Sequence, residues 1–206
     1  MKKKRNKGGL FIISAPSGAG KTTLCKKIAE TADNLKHSVS FTTRQPREGE
    51  IDGIDYSFIS KQAFVKMVEK GDFIEWAEVH GNLYGTSRRQ LQEFIDSGYD
   101  VLLDIDTQGA KQIKKSHNEG VFVFILPPSM KVLRERLEKR KSNTKEDMER
   151  RLHRASHEIR NYKMYDYVIV NDILKSSLKM LEAVITAERL RNEHIDPDWI
   201  EKNFLT

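Results

Sequence analysis

Length, composition and cysteine content indicate a folded protein of one domain. The chain has 206 residues, of which 38% are hydrophobic and 32% are charged, and a chain of this size can bury its own core. Its single cysteine, Cys25, excludes an internal disulfide and a cysteine-rich metal site, and we expect a cytoplasmic location. No stretch has the apolar length of a membrane span, and no apolar segment follows the basic N-terminus. We therefore expect neither a membrane partner nor a secretory signal.

The positive charge is concentrated at the N-terminus. Residues 1–7 carry five of the six net positive charges, which leaves +1 for residues 8–206. A nucleic-acid-binding domain presents a basic surface on its folded part, so we expect no nucleic-acid partner. Residues 1–9 are predicted to form a flexible basic tail.

Four short apolar runs predict strands, and each is followed by a segment of helical periodicity. The runs are continuous rather than alternating, which is typical of strands covered on both faces. The predicted strands occupy residues 10–14, 101–106, 121–126 and 167–170. The predicted helices occupy residues 21–32, 107–115, 129–140 and 172–191, the last with Asp172 as its N-cap. This alternation predicts an open α/β fold with a parallel sheet and helices on both faces.

Two segments interrupt the alternation. Residues 37–89 contain short strand-like pieces around one helix that Gly71 ends, and they predict a small, mostly β lobe. Residues 129–164 predict a lid of two arginine-rich helices, the second capped by Thr144 and carrying an apolar stripe of Met148, Leu152, Ala155 and Ile159. The core of this single domain then comprises residues 10–36, 90–128 and 165–206.

The sequence APSGAGKT lies between the first predicted strand and helix, which is the context of a phosphate-binding P-loop. Ala15 stands where the usual pattern has its first glycine, and alanine is small enough to keep the loop close to a phosphate. Backbone N–H groups would hold the β-phosphate, Lys21 would reach the β- and γ-phosphates, and the Thr22 hydroxyl would bind Mg²⁺. The predicted ATP-binding residues here are Ala15, Pro16, Ser17, Gly18, Ala19, Gly20, Lys21, Thr22 and Thr23.

Two acidic residues end the second predicted core strand. Asp104 and Asp106 belong to VLLDIDTQG, and a carboxylate at this edge of a P-loop sheet can support Mg²⁺ through a water molecule. We assign that role to Asp104. The segment from Asp106 to Gly109 also fits the switch motif of GTPases. Such switches read guanine through an Asn-Lys-x-Asp sequence, which this chain lacks, so the GTPase alternative is disfavoured.

Two arginines, Arg44 and Arg47, lie three apart in a segment that Pro46, Gly49 and Gly53 keep from forming a helix. Neighbouring guanidinium groups repel each other unless an anion lies between them, and their geometry suits a carboxylate or a phosphate. A solvated basic loop is the alternative. These residues alone therefore leave two interpretations open.

Five sequence blocks together resemble the guanylate kinase family: SAPSGAGKTT, TTRQPREGEIDGIDYSF, FIEWAEVHGNLYGT, LLDIDTQGA and VIVND. Their order and spacing fit the family from about residue 10 to residue 191. The resemblance implies Mg²⁺-dependent transfer of the γ-phosphoryl group of ATP to GMP, and also to dGMP, with GDP and ADP as products. It implies ATP and GMP as partners and leaves open whether the chain forms a homo-oligomer.

The resemblance also implies roles for residues of the acceptor site. A carboxylate such as Glu75 can accept both N1–H and the N2 amino group of guanine, whereas adenine has neither donor there. Without its neighbours, FIEWAEV would equally fit a half-buried strand with Glu75 in solvent. Family members commonly have serine where Thr86 stands, and the hydroxyl is retained. The residues implied to hold the GMP phosphate are Arg44, Arg47, Tyr56 and Tyr84, and those implied to surround the guanine are Ser40, Glu75, Thr86 and Asp106, with Asp104 assigned to the same site.

The arginine-rich helices match the lid of the family. Arg136 and Arg140 lie four residues apart on the first of them, and Arg151 lies on the second. A solvated helix face is the alternative, but arginines that close over nucleotide phosphates suit phosphoryl transfer. The resemblance assigns catalysis to Lys21, Arg140 and Arg151, a helping role to Arg134 and Arg136, and ATP binding to Arg136 and Asn171.

Two other functions remain as alternatives. One is a guanylate-kinase-like interaction module that binds partner proteins without catalysis. Such modules tend to lose the nucleotide-binding residues, which this chain retains, and we expect no companion interaction domain. The other is a P-loop kinase that acts on a different nucleotide. An assay of ADP release with each nucleoside monophosphate separates these alternatives.

Overall fold

Two β-sheets organise the chain. The computed structural model describes residues 7–79, 81–116, 119–139 and 145–205. The strands are β1 (Leu10–Ser14), β2 (Leu35–His37), β3 (Phe41–Thr42), β4 (Ser57–Phe58), β5 (Phe73–Val79), β6 (Asn82–Ser87), β7 (Asp100–Asp104), β8 (Val121–Leu126) and β9 (Tyr167–Val170). The helices are α1 (Lys21–Thr31), α2 (Lys61–Glu69), α3 (Arg88–Asp96), α4 (Thr107–Ser116), α5 (Met130–Glu138), α6 (Lys145–Ile159), α7 (Leu174–Arg189) and α8 (Pro197–Ile200).

The larger sheet is parallel throughout, with the strand order β2-β7-β1-β8-β9. Strand β1 lies at its centre, where Ile12 is in register with Leu103 of β7 on one side and with Phe122 of β8 on the other. The chain builds β2 and β7 on one side of β1 and then crosses to the other side for β8 and β9. In open α/β sheets, ligands bind beside the carboxyl ends of the strands at such a reversal.

Helices bury the parallel sheet on both faces, which confirms the predicted fold class. Along β1, Phe11 and Ile13 face α1 and α7, whereas Ile12 faces α3 and α4. On the first face, Cys25 of α1 and Leu181 of α7 are completely buried. Because both faces of the central strands are covered, their sequences are apolar except at the strand ends.

The smaller sheet, with the order β4-β3-β6-β5, is the small β lobe predicted between residues 37 and 89. Strand β3 pairs in parallel with β4, and the other two pairs are antiparallel. Helix α2 packs on this sheet through Phe64, whose ring stacks on Phe73 with the centroids 4.5 Å apart. A Cβ on Gly85 of β6 would lie 3.0 Å from Phe73 and 3.1 Å from Phe64. Because Gly85 has no side chain, both rings have room to pack on the sheet.

The two arginine-rich helices, α5 and α6, pack together through an apolar cluster of their own. The cluster contains Leu133 and Leu137 of α5 and Leu152 and Ala155 of α6, with Met148 packed against it. Three residues of the predicted apolar stripe, Met148, Leu152 and Ala155, are thereby confirmed, whereas Ile159 packs against the core of the parallel sheet. The predicted cap Thr144, the predicted catalytic Arg140 and the tail residues 1–6 lie outside the described residues.

The structure corrects three expectations about the parallel sheet. Strand β2 was not predicted, and it forms the edge of the sheet beside β7. Strand β9 is not covered on both faces, because it is the opposite edge, and Val168 and Val170 are 43% and 49% exposed. Helix α7 is not capped by Asp172. Its N-cap is Ile173, and that cap has no side-chain hydrogen bond.

Strand β6 and helix α3 were also not predicted. They are joined directly at Ser87, whose hydroxyl caps α3 by accepting the Gln90 N–H at 3.3 Å. Beyond α7 the chain ends in short turns around α8. In the part of the chain that the structure describes, no helix combines the length and apolar content needed to cross a membrane.

Candidate active site

A cleft of about 880 Å³ lies at the carboxyl ends of β1 and β7 and extends to the smaller sheet and α6. It brings together residues that are far apart in the sequence but were predicted to act in one site. The predicted residues that line it are Ala15, Ser17, Lys21, Thr22, Ser40, Arg44, Arg47, Tyr56, Glu75, Tyr84, Asp104, Asp106 and Arg151. The geometry thus joins the P-loop to the predicted acceptor residues across one continuous space.

A second cavity, of about 940 Å³, lies at the other end of the parallel sheet. Its walls include Leu10 at the start of β1, Val121 at the start of β8, and Pro197 of the C-terminal turns. Those are the amino ends of the strands, whereas ligands of parallel α/β sheets bind at the carboxyl ends. None of the predicted site residues that the structure describes lines this cavity.

The P-loop connects β1 to α1 in a conformation that its glycines make accessible. Gly18 and Gly20 have φ values of 93° and 91°, in the left-handed region that glycine adopts without strain. A Cβ on Gly18 would lie 3.0 Å from side-chain atoms of both Leu133 and Leu137, so α5 packs directly on the loop. The loop backbone therefore lies at the amino end of α1, the position at which helices bind anions.

Lys21 bridges from the first turn of α1 to the end of β7. Its Nζ forms an ion pair with Asp104 Oδ1 and donates a hydrogen bond to the carbonyl of Ile105 at 2.9 Å. Burial lowers the pKa of Lys21, but attraction to Asp104 and smaller favourable contributions outweigh burial, and the net pKa is raised. The ammonium group is thus held charged at the floor of the cleft.

Oxygen ligands that suit Mg²⁺ lie beside this lysine. Thr22 is exposed at the start of α1 and Asp104 ends β7, and both line the cleft. Hydroxyl and carboxylate oxygens are preferred by Mg²⁺, which commonly uses one or two protein ligands together with substrate phosphates and water. Among the described residues, no group of three or more His, Cys, Asp or Glu could hold a metal ion. One hydroxyl and one carboxylate fit an ion whose remaining ligands are nucleotide phosphates and water.

The predicted phosphate site is formed by the segment around Arg44 and by aromatic rings. Arg44 Nη2 donates to Glu50 Oε1 at 2.8 Å, and its guanidinium lies 5.3 Å from the centroid of the Tyr56 ring. Tyr56 and Tyr84 form an edge-to-face pair with centroids 5.9 Å apart. The hydrogen bond from Arg44 is the main reason why the pKa of Glu50 is lowered. Glu50 thus neutralises the positive charge of Arg44, which a bound phosphate could neutralise instead.

The Arg47 side chain is exposed at the mouth of the same cleft, and its backbone N–H donates to Glu50 Oε2 at 2.7 Å. Both arginines therefore face one space, which favours an anion site over a purely solvated loop.

Glu75 is a buried carboxylic acid on β5. It is only 4% exposed, and its Oε1 accepts a hydrogen bond from the Thr86 hydroxyl on the neighbouring strand β6 at 2.6 Å. Burial raises the pKa of Glu75 to about 7, helped by the negative charge of Asp106 and opposed by the Thr86 hydrogen bond. The alternative of a solvated Glu75 is therefore wrong.

Asp106 stands at the junction between β7 and α4 and caps that helix. Its Oδ1 accepts the Gly109 N–H at 2.9 Å, and its Oδ2 accepts a hydrogen bond from Gln108 Nε2 at 3.1 Å. Ser40, a partly buried residue just before β3, lines the cleft on the side of the smaller sheet. Both side chains lie in the same space as Glu75.

Two residues predicted to bind ATP contact the P-loop backbone instead of lining the cleft. Asn171 Nδ2 donates to the Ala19 carbonyl at 2.7 Å. Arg136 donates to the same carbonyl at 3.3 Å and to the Asn171 carbonyl at 2.8 Å. A Cβ on Gly20 would lie 2.5 Å from Asn171 Nδ2. Both side chains therefore hold the loop in place from behind.

The cleft also contains charged residues of α6 that were not predicted. Arg154 and Glu158 follow Arg151 at intervals of three and four, so all three lie on one helix face and line the cleft. Burial, followed by the negative charge of Asp106, raises the pKa of Glu158 to about 7, against a hydrogen bond from the Ser17 N–H. Their helical spacing from Arg151 could have identified Arg154 and Glu158 from the sequence.

The predicted helper Arg134 does not line the cleft and pairs instead with Glu149 at 2.6 Å.

Comparisons with known proteins agree with this geometry. A family profile described as guanylate kinase matches residues 7–188. A guanylate kinase of Geobacter metallireducens is 54% identical over 187 residues, which are 91% of this chain and 92% of that protein. One of Carboxydothermus hydrogenoformans is 49% identical over 191 residues, 93% and 94% of the respective chains.

A solved structure extends the likeness to three dimensions. The crystal structure of guanylate kinase from Anaplasma phagocytophilum matches with a TM-score of 0.82 at 34% identity, covering 98% of both chains. The profile spans most of the sequence, and its relatives match at nearly full length. A chain with this fold, this cleft and these relatives belongs to the guanylate kinase family.

Proposed function

We propose that the protein transfers the γ-phosphoryl group of ATP to GMP and so produces ADP and GDP. The observation that carries the proposal is that one cleft joins a P-loop lysine, Lys21, to a buried pair of Glu75 and Thr86 on the opposite wall. The first feature suits a nucleoside triphosphate. The second suits a base that presents two adjacent donors to one carboxylate, as guanine does with its N1–H and N2 amino groups.

The donor half of the site is assigned to the P-loop. Its backbone N–H groups and Lys21 would hold the ATP phosphates, with Thr22 and, through water, Asp104 holding Mg²⁺. The metal ion would neutralise phosphate charge and orient the γ-phosphoryl group. When ATP binds, Lys21 would leave Asp104 and contact the phosphates instead. Asp104 would then be free to support the Mg²⁺ ion. Asn171 and Arg136 would fix the loop through the Ala19 carbonyl.

The acceptor half is assigned to the smaller sheet and its neighbours. The phosphate of GMP would lie between Arg44 and Arg47, with the Tyr56 and Tyr84 hydroxyl groups as further donors. The guanine would meet Glu75, with the other base contacts assigned to Ser40, Asp104 and Asp106. Thr86 is completely buried and does not line the cleft, so it would act by holding Glu75 through its hydroxyl. We also propose dGMP as an acceptor, because it carries the same base and the same phosphate as GMP.

The transfer itself needs positioning and charge neutralisation rather than a general base. The attacking atom is an oxygen of the GMP phosphate, which is already anionic. Lys21 and the arginines of the lid, Arg140 and Arg151, would stabilise the charge of the transferring group. Closure of the lid would exclude water, which would otherwise accept the phosphoryl group.

The domain limits and the cellular setting also stay proposals. We assign GMP binding to residues 37–89 and the lid to residues 129–164. A cytoplasmic location is supported by the single cysteine, which is buried and free.

The test is ADP release from Mg·ATP with GMP, AMP, CMP and UMP in turn. We expect release with GMP, weak release without an acceptor, and none above that background with the other three. Lys21→Ala is the control, because it removes the donor-phosphate contact and should abolish release. Equal activity on AMP would favour a kinase for another nucleotide. Binding of nucleotides without any release would favour an interaction module.

A further inference from the structure

The buried carboxylate of Glu75 lies directly against the backbone of Gly109 in the first turn of α4. A Cβ placed on Gly109 would be 2.3 Å from Glu75 Oε2, 2.9 Å from its Cδ and 3.4 Å from its Cγ. Real Cβ atoms do not approach other atoms as closely as 2.3 Å. Any residue other than glycine would therefore move the carboxylate.

This glycine is not required by the backbone. Gly109 lies within helix α4 and is not among the residues with a positive φ, so every residue type except proline could adopt its conformation. Glycine is also the poorest helix former after proline. The helix itself would thus be stabilised by alanine at this position. What the missing side chain provides is space for Glu75.

The surroundings of Glu75 determine where it would go. On one side the Thr86 hydroxyl holds Oε1 at 2.6 Å, and on the other the carboxylate borders the cleft. The carboxylate is the far end of a flexible side chain, so it can rotate away from a new Cβ without moving the strand. Its open direction is the cleft, where the base would bind.

We propose that Gly109 is a specificity-determining residue. Because it has no side chain, the Glu75 carboxylate can lie at the wall of the cleft, where it aligns with the base of the acceptor nucleotide. The proposal rests on the proposed function, in which Glu75 reads guanine. A side chain at residue 109 should then weaken recognition of the base rather than folding, because the group that it displaces is the Glu75 carboxylate, which contacts the base.

The experiment is a double-mutant cycle between Gly109→Ala and Glu75→Ala. We expect Gly109→Ala to raise KM for GMP by roughly 10- to 100-fold, the range for one buried polar group that loses its partner. KM for ATP should stay within about twofold, and the thermal midpoint should be equal to or above that of the wild type. In the Glu75→Ala background, Gly109→Ala should change KM for GMP by less than about twofold. Lys115→Ala, an exposed position of the same helix, is the matched control.

Each outcome decides the proposal. An unchanged KM for GMP in Gly109→Ala would overturn it, as would equal losses in the KM values for GMP and ATP together with a lower thermal midpoint. An equally large effect of Gly109→Ala in the Glu75→Ala background would show that Glu75 is not the affected group. If Gly109→Ala does not fold, the double variant should still fold as well as Glu75→Ala does, because the Glu75 carboxylate that clashes with the new Cβ is gone. A double variant that does not fold would also overturn the proposal.

The Glu75→Gln variant separates this inference from the proposed function. If Glu75→Gln leaves KM for GMP unchanged, guanine reading by Glu75 is wrong, and the inference fails with it. If Glu75→Gln raises KM for GMP but Gly109→Ala does not, only the inference about Gly109 fails.

Discussion

Replacing Glu75 by glutamine should make the free protein more stable at alkaline pH. The Glu75 carboxyl group is buried with a pKa of about 7, against an ordinary value of 4.5, and burial is the main cause. The folded chain therefore binds a proton at Glu75 more tightly than the unfolded chain does. Wild-type stability should fall as pH rises from the unfolded pKa through the folded one, because folding must then bury a charge.

The magnitude follows from the size of the pKa change. A difference of one in pKa corresponds to about 1.4 kcal/mol, so the rise of the pKa from 4.5 to about 7 corresponds to about 3 kcal/mol of lost stability above pH 7. Glutamine can still accept the Thr86 hydrogen bond but carries no charge. The free energy of unfolding of Glu75→Gln minus that of the wild type should therefore grow by roughly 2 to 3 kcal/mol between pH 5 and pH 8, because part of the loss has already occurred at pH 5.

The assay is urea unfolding of both proteins without nucleotides at pH 5, 6, 7 and 8. Glu78→Gln is the matched control, because Glu78 is an exposed glutamate on the same strand β5. It should show no such growth. If the difference in the free energy of unfolding between Glu75→Gln and the wild type is constant over this range, burial of the charged Glu75 carboxylate does not destabilise the fold and the reasoning is refuted.

Four further substitutions test other parts of the site and fold. Lys21→Ala should abolish transfer while leaving the calorimetric affinity for GMP nearly intact, and undiminished turnover would contradict the P-loop assignment. Arg44→Ala and Arg47→Ala should each weaken GMP binding by about 2 kcal/mol, as the loss of a charge-assisted contact does. Guanosine binding should hardly change, and equal losses for both ligands would mean that these arginines are structural. Asp100→Asn should lower the free energy of unfolding by about 2 kcal/mol, because the buried carboxylate accepts the Gly9 N–H and the Arg189 Nε–H, both at 2.6 Å; an unchanged urea midpoint would contradict this.

The fold was predictable where local sequence and burial agree. The continuous apolar runs of β1, β7 and β8 are buried on both faces, and the P-loop between β1 and α1 has a motif of its own. Strand β2 was missed because its sequence, LKH, has no strand pattern. Its place at the edge of the sheet follows from pairing with β7.

The site was predictable as a set of residues but not as a set of contacts. Sequence motifs and resemblance located Glu75 and Lys21, and the cleft contains both. The contact of Glu75 with Gly109 depends on how α4 packs beside β5, which no local pattern records. The contacts of Asn171 and Arg136 with the Ala19 carbonyl likewise join three distant parts of the chain. Such contacts arise from tertiary packing, and local spacing carries no information about them.

The most direct test of the central claim is to follow the labelled γ-phosphoryl group of ATP. The protein is incubated with Mg²⁺, GMP and ATP labelled at the γ-phosphate, and the products are separated. The account predicts that the label appears as the β-phosphate of GDP in amounts equal to the ADP formed, with none retained on the protein after denaturation. Label recovered mainly as inorganic phosphate, or bound covalently to the protein, would contradict direct transfer between the two nucleotides.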